Sequence, residues 1–220
     1  MNLTEAIADI RDTLRDQKQP YFFSDERIRS ALNRAQDEAC RRARLLVDSR
    51  TPDVCEVDIA AGEAVVELHE SVIFVRRARL AGAGVPLVPR VARTMDEQCP
   101  GWEDTLPGQP TVFVPDWETG MLRLWPAPAT DGTLLLTVIR TPLDYELLKL
   151  DTSTFILPRR YLRGVLDGAL AELYAVPDVD IFNAGAATAY AEKFAAEFGP
   201  PSAAIDEHWA AEQYFDVGNH

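Results

Sequence analysis

Apolar residues recur every three to four positions at both ends of this chain, and alternate with polar ones through its middle. Leu3, Ile7, Ile10 and Leu14 share one helical face. Asn2 is placed to cap that helix, and Glu5 to return the bond as a capping box. A polar turn with Pro20 ends it. Ser24 then caps a second helix, whose stripe is Ile28, Leu32, Ala35, Ala39, Ala43 and Leu46, with Phe23 placed to staple onto Ile28. Arg27, Arg34, Arg41 and Arg44 decorate its other faces.

From about residue 53 the period changes to two. Cys55, Val57 and Ile59 alternate with Glu56 and Asp58. After the Ala61-Gly62 turn, Ala64, Val66 and Leu68 alternate with Glu63 and Glu67, which predicts a hairpin. A strand follows over 72–80, and Gly82-Ala83-Gly84 turns it toward Pro86-Leu87-Val88. The spacing of Thr94 and Glu97 predicts a capping box opening one short helix. Strands are expected at 111–115, 121–125 and 133–140, separated by Gly- and Pro-containing turns. In the last of these, Leu134, Leu136 and Val138 share a face, while Leu135 and Ile139 sit on the other with two threonines. That second face is too apolar for open solvent, so a helix or a neighbouring subunit is expected to cover it.

Helical periodicity returns at Pro158, a residue suited to a first helical position. Tyr161, Val165, Ala169 and Leu173 form the stripe, widened by Leu162, Leu166 and Leu170, and Pro177 ends it. A last helix is expected from Asp178 or Asp180. Its Ala184–Ala189 run permits close packing, Phe182, Tyr190, Phe194 and Phe198 give bulk, and Gly199-Pro200-Pro201 stops it. The predicted fold class is α+β. A four-helix base (1–50 and 151–199) carries an inserted antiparallel β module (51–150), and 200–220 form a C-terminal tail. That tail holds four large apolar residues, Ile205, Trp209, Tyr214 and Phe215, and these are the candidate docking anchors.

Composition narrows the function. The chain has 220 residues, 47% of them apolar and 26% charged, as in ordinary globular proteins. No apolar run reaches the roughly 18–20 residues of a membrane span. The first residues lack the basic start and apolar stretch of a signal peptide, so an intracellular protein with no membrane partner is expected. Cys40, Cys55 and Cys99 are odd in number and form no Cys-x-x-Cys pair, so they are expected to be reduced structural thiols. The net charge is −13. Residues 178–220 carry eight acids against one base, Lys193, and such an end repels nucleic acid. The arginine stripe of the second helix is interleaved with Asp37, Glu38 and Asp48, which favours a solvated face or intersubunit ion pairs.

Catalytic chemistry finds no support. His69, His208 and His220 lack a nucleophile motif beside them. The acid pairs Glu103-Asp104 and Asp206-Glu207 read as solvated surface, and no calcium loop appears. Gly82, Gly84 and Gly108 have no phosphate-loop context. No catalytic residue, cofactor or metal is expected.

The order of several segments resembles the head-to-tail adaptor (connector) proteins of tailed bacteriophages, most closely those of short-tailed phages. The likeness covers about residues 2–198. It rests on Ser24-Asp25-Glu26-Arg27-Ile28 continuing through Leu32-Asn33-Arg34-Ala35-Gln36, and on Cys99-Pro100-Gly101-Trp102 followed by Gly108-Gln109-Pro110 and Phe113-Val114. Leu122 through Pro128, Gly132-Thr133-Leu134 and Arg140-Thr141-Pro142 continue the series, and Ile156-Leu157-Pro158 before Tyr161 completes it. The resemblance implies a structural virion protein at the head–tail junction, present in the host cytoplasm during assembly. It implies a ring of copies, a dodecamer, docked on the portal protein and meeting a tail or nozzle protein on its other side. Genomic DNA would only pass through the channel, which an acidic protein repels. A C-terminal segment reaching the portal is also implied, and residues 200–220 are the natural candidates. Two other readings compete: another virion ring, such as a stopper or tail terminator, and a cytoplasmic binding module with a ligand pocket in the β region.

Overall fold

The computed structural model describes residues 1–177 and 180–201. It is a mixed α+β protein whose chain divides into two compact units, a helical one of Met1–Leu46 with Thr141–Pro201 and a β one of Val47–Arg140.

In the helical unit, α1 (Leu3–Leu14) begins as its sequence requires. The Asn2 side chain accepts from Glu5 N, and the Glu5 carboxylate takes the Asn2 N–H in return. Ser24 caps α2 (Asp25–Ala43) through Arg27 N, and Phe23 and Ile28 are both buried in one apolar cluster. α2 stops at Ala43 because Arg44 turns left-handed (φ 51°), so Leu46 leaves the predicted stripe and opens a strand. A 3-10 turn, Arg159–Tyr161, separates Pro158 from α5 (Leu162–Tyr174), so this proline precedes the helix instead of lying in its first turn. The last helix, α6 (Ala184–Phe198), also starts later than its carboxylates suggest. Asn183 caps it by accepting from Ala186 N, and its own N–H binds the Tyr174 carbonyl at the end of α5. Asp180 lies ahead of the helix, and Asp178 lies outside the described residues.

Close packing comes from α5 more than from the alanine run of α6, since Ala184 and Ala189 are exposed. A Cβ built on Gly168 would lie 2.6 Å from the Phe194 ring, and one on Gly164 would lie 2.6 Å from the Phe198 ring. Small residues on one helix therefore admit large ones from the next.

In the β unit, β1 (Leu46–Asp48) and a short helix α3 (Pro52–Cys55) precede β2 (Glu56–Ile59) and β3 (Val65–Glu67). These are followed by β4 (Val72–Leu80), β5 (Val88–Pro89), α4 (Ala92–Gln98), β6 (Val112–Glu118), β7 (Met121–Trp125) and β8 (Gly132–Arg140). The expected hairpin between β2 and β3 does not form. β2 pairs with β8, while β3 pairs with β7 in a second sheet of order β3-β7-β6-β5. The intervening turn explains the divergence. Ala61 N donates to Asp131 Oδ1 (2.9 Å) and Gly62 N to Pro128 O (2.7 Å), so the turn is tied to the 126–132 loop. The chain then crosses into the second sheet, where Leu124 N reaches Ala64 O.

The Gly82–Gly84 turn does return the chain, with Leu87 N bonding Ala78 O, but β5 then joins the second sheet in parallel to β6. α4 begins two residues before Thr94 and has no side-chain cap at Val91, so the capping box is absent. β8 is central: Leu135 lies opposite Arg79 of β4 on one side and Glu56 of β2 on the other. Its inward residues Leu134, Leu136 and Val138 are buried, and so is Ile139 on the opposite face.

Candidate functional site

The described chain stops at Pro201, so Ile205, Trp209, Tyr214 and Phe215 lie outside the described residues, as do His208, His220 and the Asp206-Glu207 pair. What the structure does show is the surface from which that segment departs. Pro201 lies on the wall of a groove of about 470 Å³ formed by α2, α5 and α6. Ala35, Gly168, Ala171, Ala191 and Ala195 give it a small-residue floor, and Phe194 supplies one aromatic wall.

The rim is charged and held. Arg34 is bidentate to Glu172, with Nε 2.8 Å from Oε2. Arg42 lies over the Phe194 ring, 4.9 Å from its centroid. Its Nε donates to Glu38 Oε1 (2.7 Å) and its Nη1 to the Gly199 carbonyl (3.1 Å). Arg42 thus ties the end of α6 to α2 and fixes where the chain leaves the helix. Beneath the groove, Phe194 and Phe198 pack with centroids 4.9 Å apart.

Two carboxyls in the α5–α6 seam are perturbed. Asp167 is buried, its Oδ1 has no hydrogen-bond partner among the described residues, and the Arg163 guanidinium is 3.9 Å away. Burial pushes its pKa up against the pull of Arg163 and Lys193. Burial, and then the charge of Asp167, also push Glu197 up.

Two of the segments that carry the resemblance, 99–102 and 122–128, meet in the β unit. Trp102 and Trp117 meet edge to face at 5.5 Å, and the Arg123 guanidinium lies over both rings, at 5.2 and 4.7 Å. Trp102 Nε1 donates to Asp96 Oδ1, and Trp125 Nε1 donates to the Trp102 carbonyl, both at 2.9 Å. Every polar end of the cluster's tryptophans 102 and 125 is thereby satisfied, and the 92–105 segment is pinned to the second sheet. The role of this cluster is to build the unit.

Of the residues weighed for chemistry, His69, Cys40 and Cys55 have local structural surroundings. His69 Nδ1 sits 2.9 Å from the Ser71 hydroxyl and accepts from Ser71 N, closing a turn. Cys40 and Cys55 are buried. Burial and the neighbouring Asp48 raise the Cys55 pKa, the opposite of an activated thiol. At Asp48 burial disfavours the charge, but hydrogen bonds from Thr51 Oγ1, Arg50 N, Arg140 and Thr51 N outweigh it and hold the carboxyl well below the usual range. No metal-ligand cluster occurs and no helix is long and apolar enough to cross a membrane, both among the described residues.

Residues 1–213 match the family model for the SU10 adaptor protein, and the chain belongs to that family of phage adaptors, structural proteins by class. No curated protein matches the chain.

Proposed function

We propose that this protein is the head-to-tail adaptor of a tailed phage of the short-tailed kind. Copies form a ring, a dodecamer, beneath the portal protein, join the capsid to a tail or nozzle protein, and continue the DNA channel. In this reading residues 1–50 and 151–199 are the helical base, 51–150 the β module, and 200–220 an arm whose Ile205, Trp209, Tyr214 and Phe215 dock on the portal. The observation that carries the reading is the family match over residues 1–213, which runs into the proposed arm and includes Ile205 and Trp209. The net charge of −13 supports a channel wall that does not hold DNA. The groove at Pro201 supports an exit point held firmly by Arg42.

The test is a pull-down from infected-cell lysate with tagged full-length protein, a version ending at Gly199, and Trp209→Ala. Portal protein identified by mass spectrometry with the full chain and lost with the truncation is the expected result. Trp209→Ala should weaken capture about thirtyfold, as for an interface aromatic contributing about 2 kcal/mol. Circular dichroism melts of all three should coincide. Recovery of no virion protein by the full chain overturns the adaptor reading, and unfolding of the truncated chain overturns the arm.

A further inference from the structure

Charge in the β unit is segregated in a way that its own stability does not require. Several of the protein's arginines are paired internally: Arg11 with Asp16 and Asp25, Arg34 with Glu172, Arg42 with Glu38, Arg140 with Asp48. Arg76, Arg77 and Arg79 on β4 meet no carboxylate among the described residues. Arg76 and Arg77 are both exposed because of a bulge: Val75 lies opposite Val138 and Arg77 opposite Thr137, so Arg76 is the inserted residue.

On the other side of β8 lies a groove of about 800 Å³ between β2 and β3. Asp53, Glu56, Asp58, Glu63, Glu67 and Glu70 line it, all exposed, and no lysine or arginine shares the wall. Among the described residues β2 bonds only to β8 and β3 only to β7, so each leaves one edge unpaired. The two charged faces are in register, since Arg79 and Glu56 both lie opposite Leu135, two strand spacings or about 10 Å apart.

These faces are complementary to each other and repel their own kind. Carboxylate edges cannot pair with carboxylate edges, a common protection of open strands, and arginine edges likewise repel. Only the unlike contact is attractive. When the arginines of one copy seat in the carboxylate groove of the next, each copy at the end of the row keeps one unmatched half, and the contact passes from copy to copy. A heterologous contact of this kind closes into a ring when its rotation allows. Guanidinium against carboxylate also gives the strong charge-assisted geometry that fixes register.

We propose that the two edges are the halves of a head-to-tail contact between copies of this chain, with the Arg76, Arg77 and Arg79 edge of one seated in the carboxylate groove of the next. The proposal rests on the ring reading above and names the surfaces that make it.

A charge swap tests it. One variant carries Arg76→Glu, Arg77→Glu and Arg79→Glu; the other carries Glu56→Lys, Glu63→Lys and Glu67→Lys. Each is supplied from a plasmid during infection by phage lacking the gene, alone and together, and copies in purified particles are counted by quantitative mass spectrometry. Each variant alone should lower incorporation and titre about a hundredfold, the effect of several like-charge contacts. Co-expression should restore both, because each variant's changed edge then meets the other's. Single variants that incorporate like wild type, or a pair that fails to rescue while each melts like wild type, overturn the contact. So does a β4 variant that incorporates fully but loses packaged DNA, which would make the arginine edge a DNA contact. If the triple change lowers the melting temperature, Arg77→Gln with Arg79→Gln, scored for incorporation in the same way, decides. Absence of the wild-type protein from particles would instead refute the adaptor reading itself.

Discussion

Gly168→Ala should destabilise this protein, although the same change in most helix interiors stabilises. The methyl gains about 0.5–1 kcal/mol from reduced backbone freedom. At this position it would sit 2.6 and 2.7 Å from two Phe194 ring carbons and 3.1 Å from the Ala35 methyl. Those ring contacts are about 1 Å inside the carbon–carbon optimum. Phe194 cannot swing clear, since Phe198 packs against it and Arg42 lies over it. Overpacking of this size costs about 1–3 kcal/mol, and net destabilisation of about 1–2 kcal/mol follows. Gly185→Ala is the matched control. Its new methyl meets only Asn183 Oδ1, at 3.5 Å, near the exposed start of α6. That variant should gain about 0.5–1 kcal/mol. Urea unfolding followed by circular dichroism reads both as opposite shifts in midpoint at unchanged slope. If Gly168→Ala unfolds at or above the wild-type midpoint, the account of the α2–α5–α6 seam, and of the groove above it, is wrong.

Two further predictions concern charge. Arg140→Met removes the partner of a carboxylate that is itself largely buried, and should cost about 3 kcal/mol, read as a lowered urea midpoint. Asp48 has a depressed pKa, so its contribution is present above the ordinary carboxylate value near pH 4 and is lost as pH falls through the folded value; Asp48→Asn should therefore melt with a flatter acid dependence than wild type. Asp167 has the opposite sign: its raised pKa stabilises the fold only where it is protonated. Asp167→Asn should raise the melting temperature at pH 7, with an advantage that shrinks toward pH 4, and a constant difference across that range would refute the cause.

The local chemistry of the chain was legible where a few neighbouring residues decide it. Asn2 with Glu5, and Ser24 with Phe23, place two helix starts because the capping donors lie within one turn. Asp180 misled for the same reason. It is a good cap residue, but Asn183 is the one whose N–H also reaches Tyr174, and that contact joins two helices. Strand existence followed from alternation, and β4 falls on its predicted span. Strand partners did not follow, because alternation says which face a residue takes and nothing about which strand lies beside it.

By itself, then, the sequence determined the class: period 3.6 at both ends and period 2 between give α+β, and the order of its segments carries the adaptor likeness that the family match supports. Tertiary structure decided the surfaces. The groove at Pro201 needs Ala35, Gly168 and Phe194, which three separate helices supply. Glu56 and Asp58 on β2 and the arginines at 76–79 on β4 are near neighbours in sequence, yet β8 comes between them and holds them on its two sides. Long-range pairing is fixed by packing and by the bonds of a turn to a distant loop, and no short stretch of residues encodes those alone.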